Sequence, residues 1–270
     1  MFIVADIGGT KMRVAGSREL QTFSEPSIGR TPENYDEGLA HFIKAAKMIA
    51  GENQIERIAV GFPGVLARNK RHIERSEHLQ GWAGRNFADD VESALQTHMV
   101  LENDTALVGL GEAVFGAGKG ASIVAYVTVS TGLNGARIVD GKLEPCVFGF
   151  EIGGQYLSYE SELVTFEELV SGDAIHRREG KHPRDLGKEW SGWEDLARVT
   201  AIGVHNTIVH WSPERVILGG SMLNDIGISV DAVKSHLAEI MRKFPTIPDI
   251  VHSQLKDEGG LYGGLARLQK

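Results

Sequence analysis

The chain has 270 residues, 42% hydrophobic and 24% charged, the composition of an ordinary globular protein with enough apolar side chains for one large domain or two small ones. Its formal net charge of −8, with no block of Lys or Arg, excludes a general nucleic-acid binder and a binder of acidic membranes, because counterion release needs a basic surface. The single cysteine, Cys146, excludes an intramolecular disulfide and a thiolate metal cluster, suits a reducing compartment, and reads as a small packed residue.

Met1 to Ala5 is too short for the apolar region of a signal peptide. The longest apolar run, Ile123 to Val129, falls far below membrane-spanning length, so the expected location is the cytoplasm and the expected partners are small molecules. Phe2–Ala5 and Met12–Ala15 read as strands flanking Asp6-Ile7-Gly8-Gly9-Thr10-Lys11, and this turn has two readings. Gly-Gly is an ordinary hairpin turn. Glycine amides, the Thr10 hydroxyl and the Lys11 charge can equally cradle an anion. The spacing is not that of a Walker loop, which separates its first glycine from Gly-Lys-Ser/Thr by four residues.

Leu39, Phe42, Ile43, Ala46 and Ile49 then recur at helical spacing. Ile58–Gly61 and Met99–Leu101 are short apolar strands, the second running through Glu102-Asn103-Asp104 into a helix with Leu107, Leu110, Val114 and Phe115. Asn103 and Asp104 thus stand at the carboxyl end of a strand, the ligand edge of an α/β sheet, though both residue types are also preferred helix caps. Ile123–Val129 and Ala136–Val139 repeat the opening arrangement around Ser130-Thr131-Gly132, which implies a duplicated domain facing itself across a cleft. Glu151 and Glu167 follow near glycines and small residues. The strand Val216–Leu218 ends in Gly219-Gly220, either a tight turn or bare backbone open to a base and ribose. Val230, Val233, Leu237, Ile240, Met241 and Phe244 predict a further helix. Strands and helices mixed over the full length indicate an α/β protein.

Taken in order, Asp6-x-Gly-Gly-Thr-Lys, the GFPG of Gly61 to Gly64, Gly81-Trp82, Glu102-Asn103-Asp104, the STG of Ser130 to Gly132, the EIGG of Glu151 to Gly154, the EELVSG of Glu167 to Gly172 and the VILGG of Val216 to Gly220 resemble the ROK family of bacterial sugar kinases and sugar-responsive repressors. The likeness covers nearly the whole chain. It implies the actin-like, ribonuclease-H-like pair of α/β domains around a cleft, here residues 1–115 and 116–270, with the final helix packing back on the N-terminal domain. It also implies ATP-dependent phosphorylation of a hexose or N-acetylhexosamine, and a homodimer. On this resemblance Asp6 positions Mg2+, while Gly8, Gly9, Thr10 and Lys11 line one phosphate loop and Thr131 and Gly132 a second. Gly219 and Gly220 border the adenosine. Asn103, Glu151, Glu167, Gly64 and His78 fall at sugar-contacting positions, and Asp104 matches the base that accepts the proton of the attacking hydroxyl.

Three departures qualify these expectations. Family members commonly carry a zinc-binding Glu-x-Gly-His and a following cysteine cluster, whereas here Gly154 replaces the histidine and residues 155–166 contain no cysteine. Zinc is therefore expected to be absent. His78 replaces a common asparagine, and Ser130 and Asn134 alter the second phosphate loop. ROK repressors also place a winged-helix domain before the kinase-like part, and with a first strand at Phe2 no such domain is expected here. The alternative to a kinase is a sugar-binding regulatory protein of the same fold with little turnover.

Overall fold

In the computed structural model, which describes residues 1–158 and 162–269, the first strand, β1 (Phe2–Ile7), is the middle strand of a five-stranded sheet. Its Ile3, Val4 and Ala5 are fully buried because both faces of the strand are covered, which is why the run is continuously apolar rather than alternating. The chain turns at Gly8–Thr10 and returns antiparallel as β2 (Lys11–Ser17), followed at the sheet edge by β3 (Ser27–Arg30). Helix α1 (Tyr35–Ala50) starts where the Asn34 side chain accepts the Glu37 amide at 3.0 Å, carries Asp36 and Glu37 in its first turn, and stops at Gly51 in a positive-φ conformation. It buries Tyr35, Phe42, Ala46 and Ala50, in keeping with the expected apolar stripe.

Strand β4 (Arg57–Phe62) lies parallel to β1. A small antiparallel pair, β5 (Val65–Leu66) and β6 (Ile73–Arg75), and helix α2 (Phe87–Leu95) lead to β7 (His98–Asn103), which is parallel to β4 and continues directly into α3 (Asp104–Val114). Trp82, fully buried, donates its indole N–H to the Pro32 carbonyl at 3.0 Å and packs edge-on or tilted against Tyr35, Phe62 and Phe87. Trp82 therefore serves the core of this unit.

The second half repeats the plan. Strands β8 (Ile123–Val129), β9 (Leu133–Val139) and β10 (Lys142–Leu143) are antiparallel neighbours. A short pair, β11 (Tyr156–Ser158) and β12 (Val164–Thr165), precedes helices α4 (Phe166–Val170), α5 (Gly172–Glu179) and α6 (Gly192–Trp211). Strand β13 (Arg215–Gly219), helix α7 (Val230–Ile240) and strand β14 (Asp249–His252) follow, both strands parallel to β8. The two sheet orders, β3-β2-β1-β4-β7 and β10-β9-β8-β13-β14, correspond strand for strand. One hairpin with two parallel strands added on its first-strand side has been built twice.

The chain ends in α8 (Gly259–Leu268). By contact the molecule forms two compact units, one comprising Met1–Val114, Pro145–Gly149 and the stretch from Asp257, the other Phe115–Glu144 and Phe150–Lys256. Each has its own core, around Phe42, Phe62 and Trp82 in the first and around Phe166, Val204 and Leu218 in the second. Among the described residues no helix is long and apolar enough to cross a membrane.

Helix α8 packs on α3 through glycines. A Cβ on Gly263 would lie 1.8 Å from the Leu107 carbonyl oxygen, and one on Gly264 would lie 2.9 Å from Val4 Cγ1. Gly263→Ala is expected to destabilise the protein by about 1–3 kcal/mol, because backbone cannot retreat as a flexible side chain could. A melting curve matching wild type would count against this packing.

Two expectations are corrected. Helix α7 ends at Ile240, and Met241 turns to ψ 109° as its cap. Pro245 disfavours helical conformation at Phe244, so Met241 and Phe244 reach the same core from an irregular segment. Cys146, expected to be packed, is exposed, beside the exposed Val147 and Phe148. An isolated small residue carries no periodic pattern from which burial can be read.

Candidate active site

Asp6 is the penultimate residue of β1. The hairpin register sets it opposite Arg13, and the parallel register sets it beside Gly61 of β4. A Cβ on Gly61 would lie 3.4 Å from Asp104 Cα and 3.7 Å from Asp6 Oδ1, so an acidic residue of β1 and one at the start of α3 flank one bare backbone position. Burial and then the Asp104 charge push the Asp6 carboxyl up to about 7. Arg13 opposes this, its guanidinium 3.5 Å from Asp6 Oδ2 and 3.2 Å from Asp257 Oδ2. Burial likewise raises the Asp104 carboxyl, with the Thr105 amide, 2.7 Å from Oδ1, and the nearby His78 acting in the opposite direction.

The turn that follows Asp6 is fixed through its carbonyls. Gly8 N–H donates to the Lys11 carbonyl at 2.8 Å, the Thr31 hydroxyl donates to the Gly8 carbonyl at 2.7 Å, and the Thr31 amide donates to the Thr10 carbonyl at 3.1 Å. The Gly9 and Thr10 amides have no acceptor among the described residues, and the Thr10 and Lys11 side chains are exposed. His78 lies against this turn, where a Cβ on Gly9 would come within 2.7 Å of its own Cβ.

Asn103 does act as a helix cap. Its Oδ1 accepts the Ala106 amide at 3.1 Å, while its Nδ2 donates to the Gly64 carbonyl at 3.1 Å. The capping alternative thus belongs to Asn103, and the Asp104 carboxylate accepts from the adjoining Thr105. Behind them Glu102, 3% exposed, holds Lys70 Nζ at 2.6 Å and Arg267 Nε at 3.0 Å, tying the end of β7 to α8.

In the second unit Ser130 N–H donates to the Gly132 carbonyl at 2.8 Å. The Ser130 and Thr131 carbonyls accept from Gly172 and Asp173 at the start of α5, at 2.7 and 3.1 Å. As in the first hairpin, the carbonyls are engaged, and the Thr131 and Gly132 amides have no acceptor among the described residues. Glu167 Oε1 accepts the Leu133 amide at 2.8 Å, and Glu151 Oε2 accepts from Asn134 Nδ2 at 3.0 Å. Both glutamates are exposed yet lie beside this hairpin. Gly219 ends β13 and Gly220 follows it at φ +92°, where a Cβ would strike the Val129 carbonyl oxygen at 2.2 Å. That contact by itself requires glycine at 220.

The site residues expected from sequence therefore fall into two groups, Asp6 to Lys11, Gly64, His78, Asn103 and Asp104 in the first unit, and Thr131, Gly132, Glu151, Glu167, Gly219 and Gly220 in the second. The ROK family model matches residues 2–270. The chain belongs to the ROK family. It is 24% identical to the glucokinase of Streptomyces coelicolor over 97% of this chain and 95% of that one. Its fold matches the ROK hexokinase of Thermus thermophilus with a TM-score of 0.88 at 23% identity, over 99% of this chain and 98% of that one. A ROK glucokinase from Streptomyces griseus, in complex with glucose and AMPPNP, matches with a TM-score of 0.80 at 22% identity, covering 99% and 98% of the two chains. The actin-like two-domain fold follows from these likenesses.

Sequence reading of this ROK chain missed three neighbours of Asp6. Arg13 was legible in principle, since a hairpin pairing Ile7 with Met12 must pair Asp6 with Arg13. Asp257 and Gly260, whose Cβ would fall 2.9 Å from Asp6 Cγ, carry no local signal because they approach from the far end of the chain. Gly154 is exposed with open space around it, and among the described residues no three His, Cys, Asp or Glu side chains form a metal set. Residues 159–161 of the cysteine-free segment lie outside the described residues.

Proposed function

We propose that this ROK chain is an ATP-dependent sugar kinase, transferring the terminal phosphoryl group of ATP to a hydroxyl of a hexose or N-acetylhexosamine. One observation supports the reading: the raised Asp6 carboxyl and the backbone of Asp104, whose carboxyl is also raised and whose charge acts on Asp6, flank Gly61, one step from a hairpin turn whose Gly9 and Thr10 amides have no acceptor among the described residues and which carries an exposed lysine. The names of the relatives support it, a glucokinase among them and a solved neighbour holding glucose and an ATP analogue.

Phosphoryl transfer asks a protein chiefly for alignment and charge stabilisation. In this reading Gly8, Gly9, Thr10 and Lys11 receive phosphate oxygens, as do Thr131 and Gly132, and Gly219 and Gly220 border the adenosine. Asn103, Gly64, His78, Glu151 and Glu167 orient the sugar. Asp104 accepts the hydroxyl proton as the new P–O bond forms, and a carboxyl raised by burial is a stronger acceptor than an exposed one. Asp6 fits a Mg2+ ligand: it is a hard oxygen donor, raised first by burial and then by the Asp104 charge, so a cation bound there would favour its anionic form. Magnesium held there supplies neutralisation of the phosphate oxygens.

The proposal extends to a cytoplasmic homodimer without structural zinc, given Gly154 and the cysteine-free segment at 155–166. Elemental analysis of the purified protein is expected to find no stoichiometric zinc; a full complement surviving mild chelation would contradict that. The central test incubates hexoses, N-acetylhexosamines and amino sugars with ATP and Mg2+ and reads ADP release. Sugar-dependent ADP is expected with at least one of them. Binding of sugar and ATP without ADP across the whole panel would turn the assignment to a regulatory protein.

A further inference from the structure

Away from the residues given roles above, the first unit holds a cavity of about 300 Å³ between its sheet and α1, a volume at the lower end of small-molecule sites. Met12 of β2 and Gly29 of β3 face each other across the strand register and line one wall. His41, Lys44 and Met48, spaced along one face of α1, line the other. Arg30 completes the rim. No Asp or Glu lines the cavity, in a chain whose net charge is −8. Among the described residues neither Arg30 nor Lys44 forms an ion pair, although most other arginines of this unit do. A Cβ on Gly29 would meet nothing within 4 Å, so the strand is bare where the cavity opens.

We infer that this cavity binds an organic phosphate monoester, its phosphate held by Arg30 and Lys44 and its carbon body lying over Met12 and Met48. The guanidinium supplies a planar fork that matches phosphate oxygens, the ammonium a point charge and His41 a ring nitrogen. The bare position at Gly29 admits a body larger than the anion itself. A sugar phosphate is the form of monoester at hand if the kinase reading holds, and that choice of ligand rests on that reading. Occupancy has a direct route to the phosphate hairpin. Arg30 pairs with Lys11 in the strand register, and the next residue, Thr31, holds the Gly8 and Thr10 carbonyls. A ligand gripping Arg30 therefore bears on the segment that fixes this turn, which makes the cavity a regulatory site.

The test is calorimetric titration of the intact protein with glucose 6-phosphate, with inorganic phosphate and glucose as comparison ligands, on wild type, Lys44→Gln and Gly29→Leu. Wild type is expected to bind glucose 6-phosphate more tightly than inorganic phosphate, and each substitution is expected to weaken binding of the ester about tenfold or more while leaving any binding of glucose unchanged, the loss of one charged contact or of the space itself. Turnover without the ester should stay at the wild-type level in both variants. Lys44→Gln keeps an exposed helix position helical, so it remains informative even if Gly29→Leu perturbs the edge strand. Undiminished affinity in Lys44→Gln, absence of binding by wild type, or inorganic phosphate binding as tightly as the ester would each overturn the proposal. Binding is read without turnover, so a chain that phosphorylates no sugar defeats the kinase reading while leaving this measurement to decide the cavity.

Discussion

Asp104→Asn is expected to lower turnover by a factor on the order of 10²–10⁴, the range for loss of a positioned general base, while sugar affinity changes little. The substitution keeps size and most hydrogen bonding and removes the negative charge and the proton acceptor. Helix capping does not confuse the outcome, because the cap of α3 is supplied by Asn103, whose Oδ1 accepts the Ala106 amide at 3.1 Å. Folding should therefore survive. Relief of repulsion against Asp6 acts in the same direction, since the Asp104 charge is one of the causes raising that carboxyl. In wild type, burial raises the Asp104 carboxyl, so turnover should fall on the acid side at a pH above the range where an exposed aspartate protonates. Steady-state kinetics with the preferred sugar decides the matter: near wild-type turnover in the variant would remove Asp104 from the chemistry.

Asp6→Asn should separate function from stability. If Asp6 holds the magnesium that accompanies ATP, turnover is expected to drop on the order of 10²–10³-fold, as when one electrostatic stabiliser of a transition state is lost. Stability of the ligand-free protein should move the other way. A carboxyl raised from 3.8 to about 7 in the folded protein favours the folded state fully below its unfolded value, and that contribution is lost as pH rises through about 7. Asparagine has no charge to bury, so at pH 8 the variant is expected to be more stable by on the order of 1–4 kcal/mol, with the difference vanishing near pH 4. Arg13 keeps a carboxylate partner in Asp257, which limits any offsetting loss. Melting temperatures at the two pH values check this. A variant less stable than wild type at pH 8 would mean that Asp6 is anchored by Arg13 more strongly than it is penalised by burial and Asp104.

The legible part of the candidate site was the part written in contiguous residues. Asp6 to Lys11 forms a hairpin turn because the flanking runs are strand-like and the glycines permit the turn, and Asn103-Asp104 ends a strand because an apolar run meets a helical pattern there. Ser130 to Gly132 was legible as a second copy, and the two sheets do repeat one strand order. The competition between capping and chemistry was not legible at Asn103 and Asp104, since both side chains suit either role. It took the hydrogen bonds of Asn103 to both Ala106 and Gly64 to divide the roles between the two residues.

By itself, the sequence determined the apolar strands beside the two hairpin turns, the apolar stripe of α1 and the family to which the chain belongs, because periodicity, turn chemistry and motif spacing are local quantities; α2, α6 and the edge strands β3 and β14 carried no such reading. Only the tertiary structure decided what surrounds Asp6. Arg13 reaches it across the hairpin, Asp257 and Gly260 come from the last turns of the chain, and Asp104 arrives from the start of α3, just past a strand two places along the sheet. The same holds for Glu102, whose partners Lys70 and Arg267 lie 32 and 165 residues away. The reason is physical: a carboxyl's proton affinity follows from burial and from charges within a few ångströms, and those distances are set by the packing of α8 on α3 and of β4 between β1 and β7.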